Sequence, residues 1–125
     1  MKRIIRTDDA PKALATYSQA VEINGMLFIS GQIAMDPKTG NMVEGGITEQ
    51  TLQVLKNIGA ILEEAGYEIS NVVKTTCILS NISDYGAMNA VYGSIFNEDA
   101  PARAAFAVSG LPKGALVEIE AIAGR

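Results

Sequence analysis

At 125 residues, with ten Lys and Arg against fourteen Asp and Glu, the chain is the size of one ordinary domain, 1–125, and its formal charge is −4. It has no histidine and one cysteine, Cys77. That removes the commonest general base, the Ser–His and Cys–His nucleophile pairs, most zinc sites and any intrachain disulfide. Lys and Arg are scattered rather than clustered, which leaves no electrostatic footprint for nucleic acid.

The opening "MKRIIRTDDAP" is basic, but no apolar segment comes after it, as a secretory signal requires, and it is not acid-poor like a transit peptide. No apolar run reaches membrane-spanning length, so a cytoplasmic protein with no membrane contact is expected. "AVEINGMLFISGQIAM" holds two apolar runs around Asn24-Gly25, a hairpin signal. "DPKTGN" is a turn, with Pro37 presetting φ; it lacks the glycine pattern of a phosphate loop. "ITEQTLQVLKNIGAILEEAG" predicts a helix whose apolar face is Leu52, Leu55, Ile58, Ile61, Leu62 and Ala65, with Thr48 as start cap and Gly66 as left-handed C-terminal residue.

"NVVKTTCILS" is β-branched and reads as a strand. "SDYGAMNAVYGSIF" predicts a second helix capped by Ser83. "RAAFAV" and "ALVEIEAIAG" are the last strands, joined by the loop "SGLPKG". The order is two or three strands, helix, strand, helix, two strands. It predicts an α+β sandwich with a mixed, mostly antiparallel sheet and both helices on one face. "MLFIS" and "AFAV" are too apolar to face water, so the second sheet face calls for an oligomer.

Arg103 stands in the apolar run "PARAAFAV". A guanidinium cannot shed its charge, so it needs a carboxylate either inside the protein or on a ligand. Strand alternation puts Arg103, Ala105 and Ala107 on one face, and the alanines leave room beside the arginine. Glu118 and Glu120 share a face of the last strand; if that strand pairs antiparallel to the Arg103 strand, one of them reaches the guanidinium, and otherwise they form a solvated face. Gly31 in "FISGQ" either lets a ligand approach the backbone or marks a bulge. Tyr17 is a ligand-orienting hydroxyl or a half-buried anchor. Asn89 and Tyr92, at i and i+3, line a wall or face water. Cys77, with apolar neighbours and no histidine to activate it, reads as structural.

Taken together, "YSQAV", "FISGQIAMDPKTG", "VVKTTC", "MNAVYGSIF", "PARAAFAV" and "LPKGALVEIEAIA" resemble the RidA (YjgF) reactive-intermediate deaminase family, from Ala10 to Ala123. The resemblance implies a chorismate-mutase-like fold and a homotrimer with active sites between subunits. It implies hydrolysis of 2-imino acids, such as 2-iminobutanoate and 2-iminopropanoate, to 2-keto acids and ammonia, with no cofactor and no metal. The family's substrate-binding arginine falls on Arg103 and its water-positioning glutamate on Glu118. Tyr17, Ser30, Gly31 and Asn89 match other site-lining positions, and Ala105 matches a position that contributes its backbone. Ala105 stands where many members have cysteine, and Thr16 where proline is usual. Relatives have also been described as endoribonucleases that inhibit translation, and the same arginine suits a regulator that binds small carboxylates without turnover. In the family-based reading Arg103 serves a ligand carboxylate, with Glu118 as its resting partner.

Overall fold

A computed structural model describes all 125 residues. Six strands form one sheet: β1 (Arg3–Ile5), β2 (Ala20–Ile23), β3 (Met26–Gln32), β4 (Val72–Leu79), β5 (Ala102–Ala107) and β6 (Val117–Gly124), in the order β1-β2-β3-β6-β4-β5. All neighbours are antiparallel except β4 and β5, which run parallel. A parallel pair cannot be closed by a tight turn, and helix α2 (Tyr85–Ile95) makes the crossover. Helix α1 (Ile47–Ala65) carries the chain from β3 to β4.

The hairpin expected at Asn24-Gly25 forms, with both residues at positive φ, 51° and 74°. That pair of angles matches the twist of the flanking strands. Helix α1 buries Val54, Leu55, Ile58, Ile61, Leu62 and Ala65 against the sheet. Leu52, expected on that face, is 42 % exposed; Thr51 and Val54 take the inward positions. The expected cap at Thr48 is replaced by Gly46, whose N–H donates to Glu49 Oε1 at 2.8 Å. Gly66 does end the helix in the left-handed region, at φ 82°. The second helix starts after Asp84, because Ser83 is drawn into a preceding 3-10 turn by the Asn81 side chain, which accepts from its N–H and its hydroxyl.

Strand alternation decides which residues meet the helices. Leu27, Ile29, Thr75, Cys77, Leu79, Ile119 and Ala121 are buried on the helix side. The intervening residues point to the other face, which no element of this chain covers. There Phe28 is 45 % exposed and Phe106 44 % exposed, in line with the apolar character of "MLFIS" and "AFAV".

The condition for a glutamate beside Arg103 is not met. The last strand does not pair with the Arg103 strand: β4 lies between β6 and β5. Arg103 opposes Thr75 and sits on the helix side, whereas Glu118 opposes Ile78 on the uncovered side. The two side chains therefore lie on opposite faces of one sheet, and Glu118 is not the resting partner of Arg103 within one chain.

Candidate active site

Strand β5 is the sheet edge, and the stripe of α2 facing it is Tyr85, Asn89 and Tyr92, spaced by one turn or nearly so. Arg103 lies across this stripe. Its Nη1 donates to Asn89 Oδ1 at 2.8 Å and its Nη2 to Tyr85 Oη at 2.6 Å. The guanidinium carbon is 4.7 Å from the centre of the Tyr92 ring and 5.5 Å from that of Tyr85, within cation–π range. Tyr92 is itself fixed: its hydroxyl shares a buried 2.7 Å hydrogen bond with Thr75 Oγ1, and its ring packs on Phe96. Every partner of Arg103 is neutral. The only ion pairs in the chain, Arg3–Glu22 and Arg125–Glu22, are elsewhere.

Below Arg103, Ala105 opposes Cys77 on the helix side. Burial pushes the Cys77 thiol up to about 11 even though Arg103 pulls it the other way. The thiol is thus protonated and inert at neutral pH, in keeping with the structural reading of Cys77.

Glu118 belongs to a different constellation. Where β3 meets β6 the register slips between Ile29 and Gln32, and the Glu118 carboxylate rests on the backbone of Gly31. A Cβ on Gly31 would overlap that carboxylate, so any larger residue here would push the Glu118 side chain out of its present position. Tyr17, Leu14, Lys12 and Lys113 complete a cleft of about 150 Å³ around Glu118. Burial, and then the negative charge of Glu120, hold the Glu118 carboxyl above the usual carboxylate range. Glu120 itself is exposed beside Phe28 and Thr76 on the uncovered face. Both glutamates border small hollows, of about 150 and 140 Å³, but Glu118 is the more buried of the two and the one that shares its hollow with Tyr17 and Gly31.

The segment carrying Tyr17 is held by Gln19, a buried residue that nothing in its sequence context marks out. The Gln19 amide nitrogen donates to the carbonyls of Thr7, Ala10 and Pro11, and its Oε1 accepts from Thr7 N–H. Tyr17 is 52 % exposed, and its hydroxyl makes no hydrogen bond within the chain. The Ser30 hydroxyl donates to Ser18 O at 2.6 Å. Its proton thus serves the fold, and only its oxygen lone pairs are left for a ligand. A larger open hollow of about 780 Å³ lies under the same segment, between Arg6, Asp8, Asp9, Lys12 and Glu64. It contains neither Arg103 nor Glu118, and its mixed charges favour no ligand sign.

Within one chain, then, Arg103 and Asn89 come together with Tyr85, which the sequence reading missed. Glu118, Gly31 and Tyr17 come together on the far side of the sheet. The missed signal was the four-residue spacing of Tyr85 and Asn89 on a helix leading into the Arg103 strand.

A family model described as endoribonuclease L-PSP matches residues 7–124. A rat protein named 2-iminobutanoate/2-iminopropanoate deaminase is 49 % identical over 123 residues, covering 98 % of this chain and 90 % of its own. A Yersinia pestis protein of the Rid family superposes with a TM-score of 0.97 at 49 % identity over the whole of both chains. The Escherichia coli protein TdcF, solved with bound serine, superposes with a TM-score of 0.94 at 36 % identity over 98 % of each chain.

Proposed function

The chain belongs to the RidA (YjgF, endoribonuclease L-PSP) family, and from that premise we propose that it hydrolyses 2-imino acids to 2-keto acids and ammonia. One observation carries the reading: the Arg103 guanidinium is pre-set by Tyr85, Asn89 and Tyr92, and no carboxylate of its own chain neutralises it. A planar carboxylate beside the imine is the group such a fork takes through paired hydrogen bonds. The relative solved with serine carries the same kind of carboxylate in its ligand.

The chemistry asks little more. A protonated imine is already electrophilic, and holding its carboxylate while placing one water near the C=N carbon contributes through proximity. Glu118, ionised, takes a proton from that water as oxygen bonds to carbon. The proton then moves to the carbinolamine nitrogen, and as the C–N bond breaks the hydroxyl gives its proton back to Glu118 and becomes the C=O, so ammonia leaves with the keto acid behind. Glu118 can return the proton, since its raised pKa lets it exchange protons nearer neutrality than a free glutamate. Tyr17 and Gly31 line the same cleft as Glu118, Ser30 precedes Gly31 on the strand, and Ala105 lies two residues beyond the clamp on β5.

Arg103 and Glu118 can serve one substrate only if they come from different copies of the chain. The family's homotrimer supplies that arrangement, with the uncovered sheet faces of three subunits turned inward around Phe28 and Phe106. No cofactor or metal enters this scheme.

The test is a coupled assay. An amino-acid oxidase generates the imine, semicarbazide traps it, and added protein competes for it. Wild type should lower semicarbazone formation, and Arg103→Ala should lose about two orders of magnitude in kcat/KM or more while keeping its fold and assembly. Tight binding of 2-keto acids with no imine turnover would instead make the trimer a carboxylate-responsive regulator. RNA cleavage surviving Arg103→Ala would be an activity of another site.

A further inference from the structure

The side chains around Arg103 carry protons that nothing in the chain accepts. A guanidinium only donates, so Tyr85 Oη must accept from Nη2, and its own O–H proton has no protein partner. The same logic orients Asn89: its Oδ1 is taken by Nη1, which leaves its amide N–H groups directed elsewhere. Tyr85 opens α2 and is 36 % exposed, so its hydroxyl reaches solvent at the edge of the guanidinium. The guanidinium and the Tyr85 O–H thus both present free donors toward the open edge of the cluster.

We infer that Tyr85 is a substrate-binding residue whose O–H donates to the same carboxylate that Arg103 clamps. It adds a neutral arm to the charged fork. Donors from a guanidinium and a neighbouring hydroxyl suit the two oxygens of a carboxylate better than a carboxamide, which offers only one oxygen and no negative charge. Tyr85 thereby helps select 2-imino acids over uncharged imines. The inference rests on the carboxylate-binding role of Arg103 proposed above.

The test uses 2-ketobutanoate as the probe, titrated calorimetrically into the intact protein, with kcat and KM measured in parallel. Tyr85→Phe keeps the ring and removes only the hydroxyl, so the fold should be kept, with melting lowered by no more than the loss of the one exposed hydrogen bond from Arg103. Its Kd should rise about ten- to a hundredfold, the size of one lost hydrogen bond to a charged group. KM should rise by a similar factor, with kcat held within about twofold, the mark of lost uniform binding. Part of the effect should persist in an Arg103→Lys background, because a direct donor does not act only through the guanidinium it touches. An unchanged Kd in Tyr85→Phe, or an effect that vanishes in Arg103→Lys, would overturn the inference while leaving the clamp intact. Binding that also survives Arg103→Ala would remove the clamp itself, and the proposed function with it.

Discussion

Glu118 and Glu120 stand two residues apart on one face of β6, and their difference lies in what surrounds them. Glu118 rests on Gly31 in a cleft; Glu120 is open to solvent and raises the Glu118 pKa by its charge. If Glu118 works as the ionised base, activity should fall as pH drops through its raised pKa. Glu120→Gln removes one of the two causes of that elevation, so the acid limb of kcat/KM should move to lower pH; burial, the larger cause, stays. A pH–rate profile of wild type and variant checks this, and an acid limb that stays in place would take Glu118 out of the titrating role. At this scale Arg103 was legible because a charge that cannot be neutralised has to be explained. Its neutral partners were not, because Tyr85 looks like any exposed helix residue until α2 is packed against β5.

At the scale of elements, local chemistry wrote the ends of α1 and the first hairpin, and packing settled their detail. Gly66 holds φ 82°, and its N–H bonds back to Glu63 O and Leu62 O, satisfying carbonyls the helix leaves open. Arg3 adds a donor to Ala65 O at 2.9 Å, and Arg125 donates to Gly66 O. Gly66→Ala should therefore lower unfolding free energy by about 1–2 kcal/mol, the cost of a left-handed residue with a Cβ. The readout is the urea midpoint, with deaminase activity unchanged because the cap is remote from both halves of the site. The apolar spacing identified α1 correctly, yet Leu52 and Val54 traded places. Both are apolar and two positions apart, and only the rotation of the helix against β3 and β6 chooses between them.

For the whole molecule the decisive fact is that β4 separates β5 from β6, so Arg103 and Glu118 face opposite ways. Subunit mixing tests whether neighbouring copies complete each other's sites. Arg103→Ala and Glu118→Ala chains, each inactive alone, are unfolded together and refolded. If each site takes its arginine from one chain and its glutamate from the next, random mixing should restore about a quarter of wild-type activity, since each intact half is present half the time. No recovery from well-formed mixed assemblies would mean that the two residues never share a substrate.

Composition and order along the chain determined a good deal. The absence of histidine narrowed the chemistry, the alternating and helical apolar periods defined an α+β sandwich, and the spaced motifs led to the family. These are properties of neighbouring residues, and neighbours along the chain are visible in it. The tertiary structure alone decided which strand lies beside which, that Glu118 turns away from Arg103, that Gly31 lies under a carboxylate and that Tyr85 sits beside the guanidinium. Strand order and helix rotation are set by burying the combined apolar faces of all six strands and both helices at once, and no single segment carries that information.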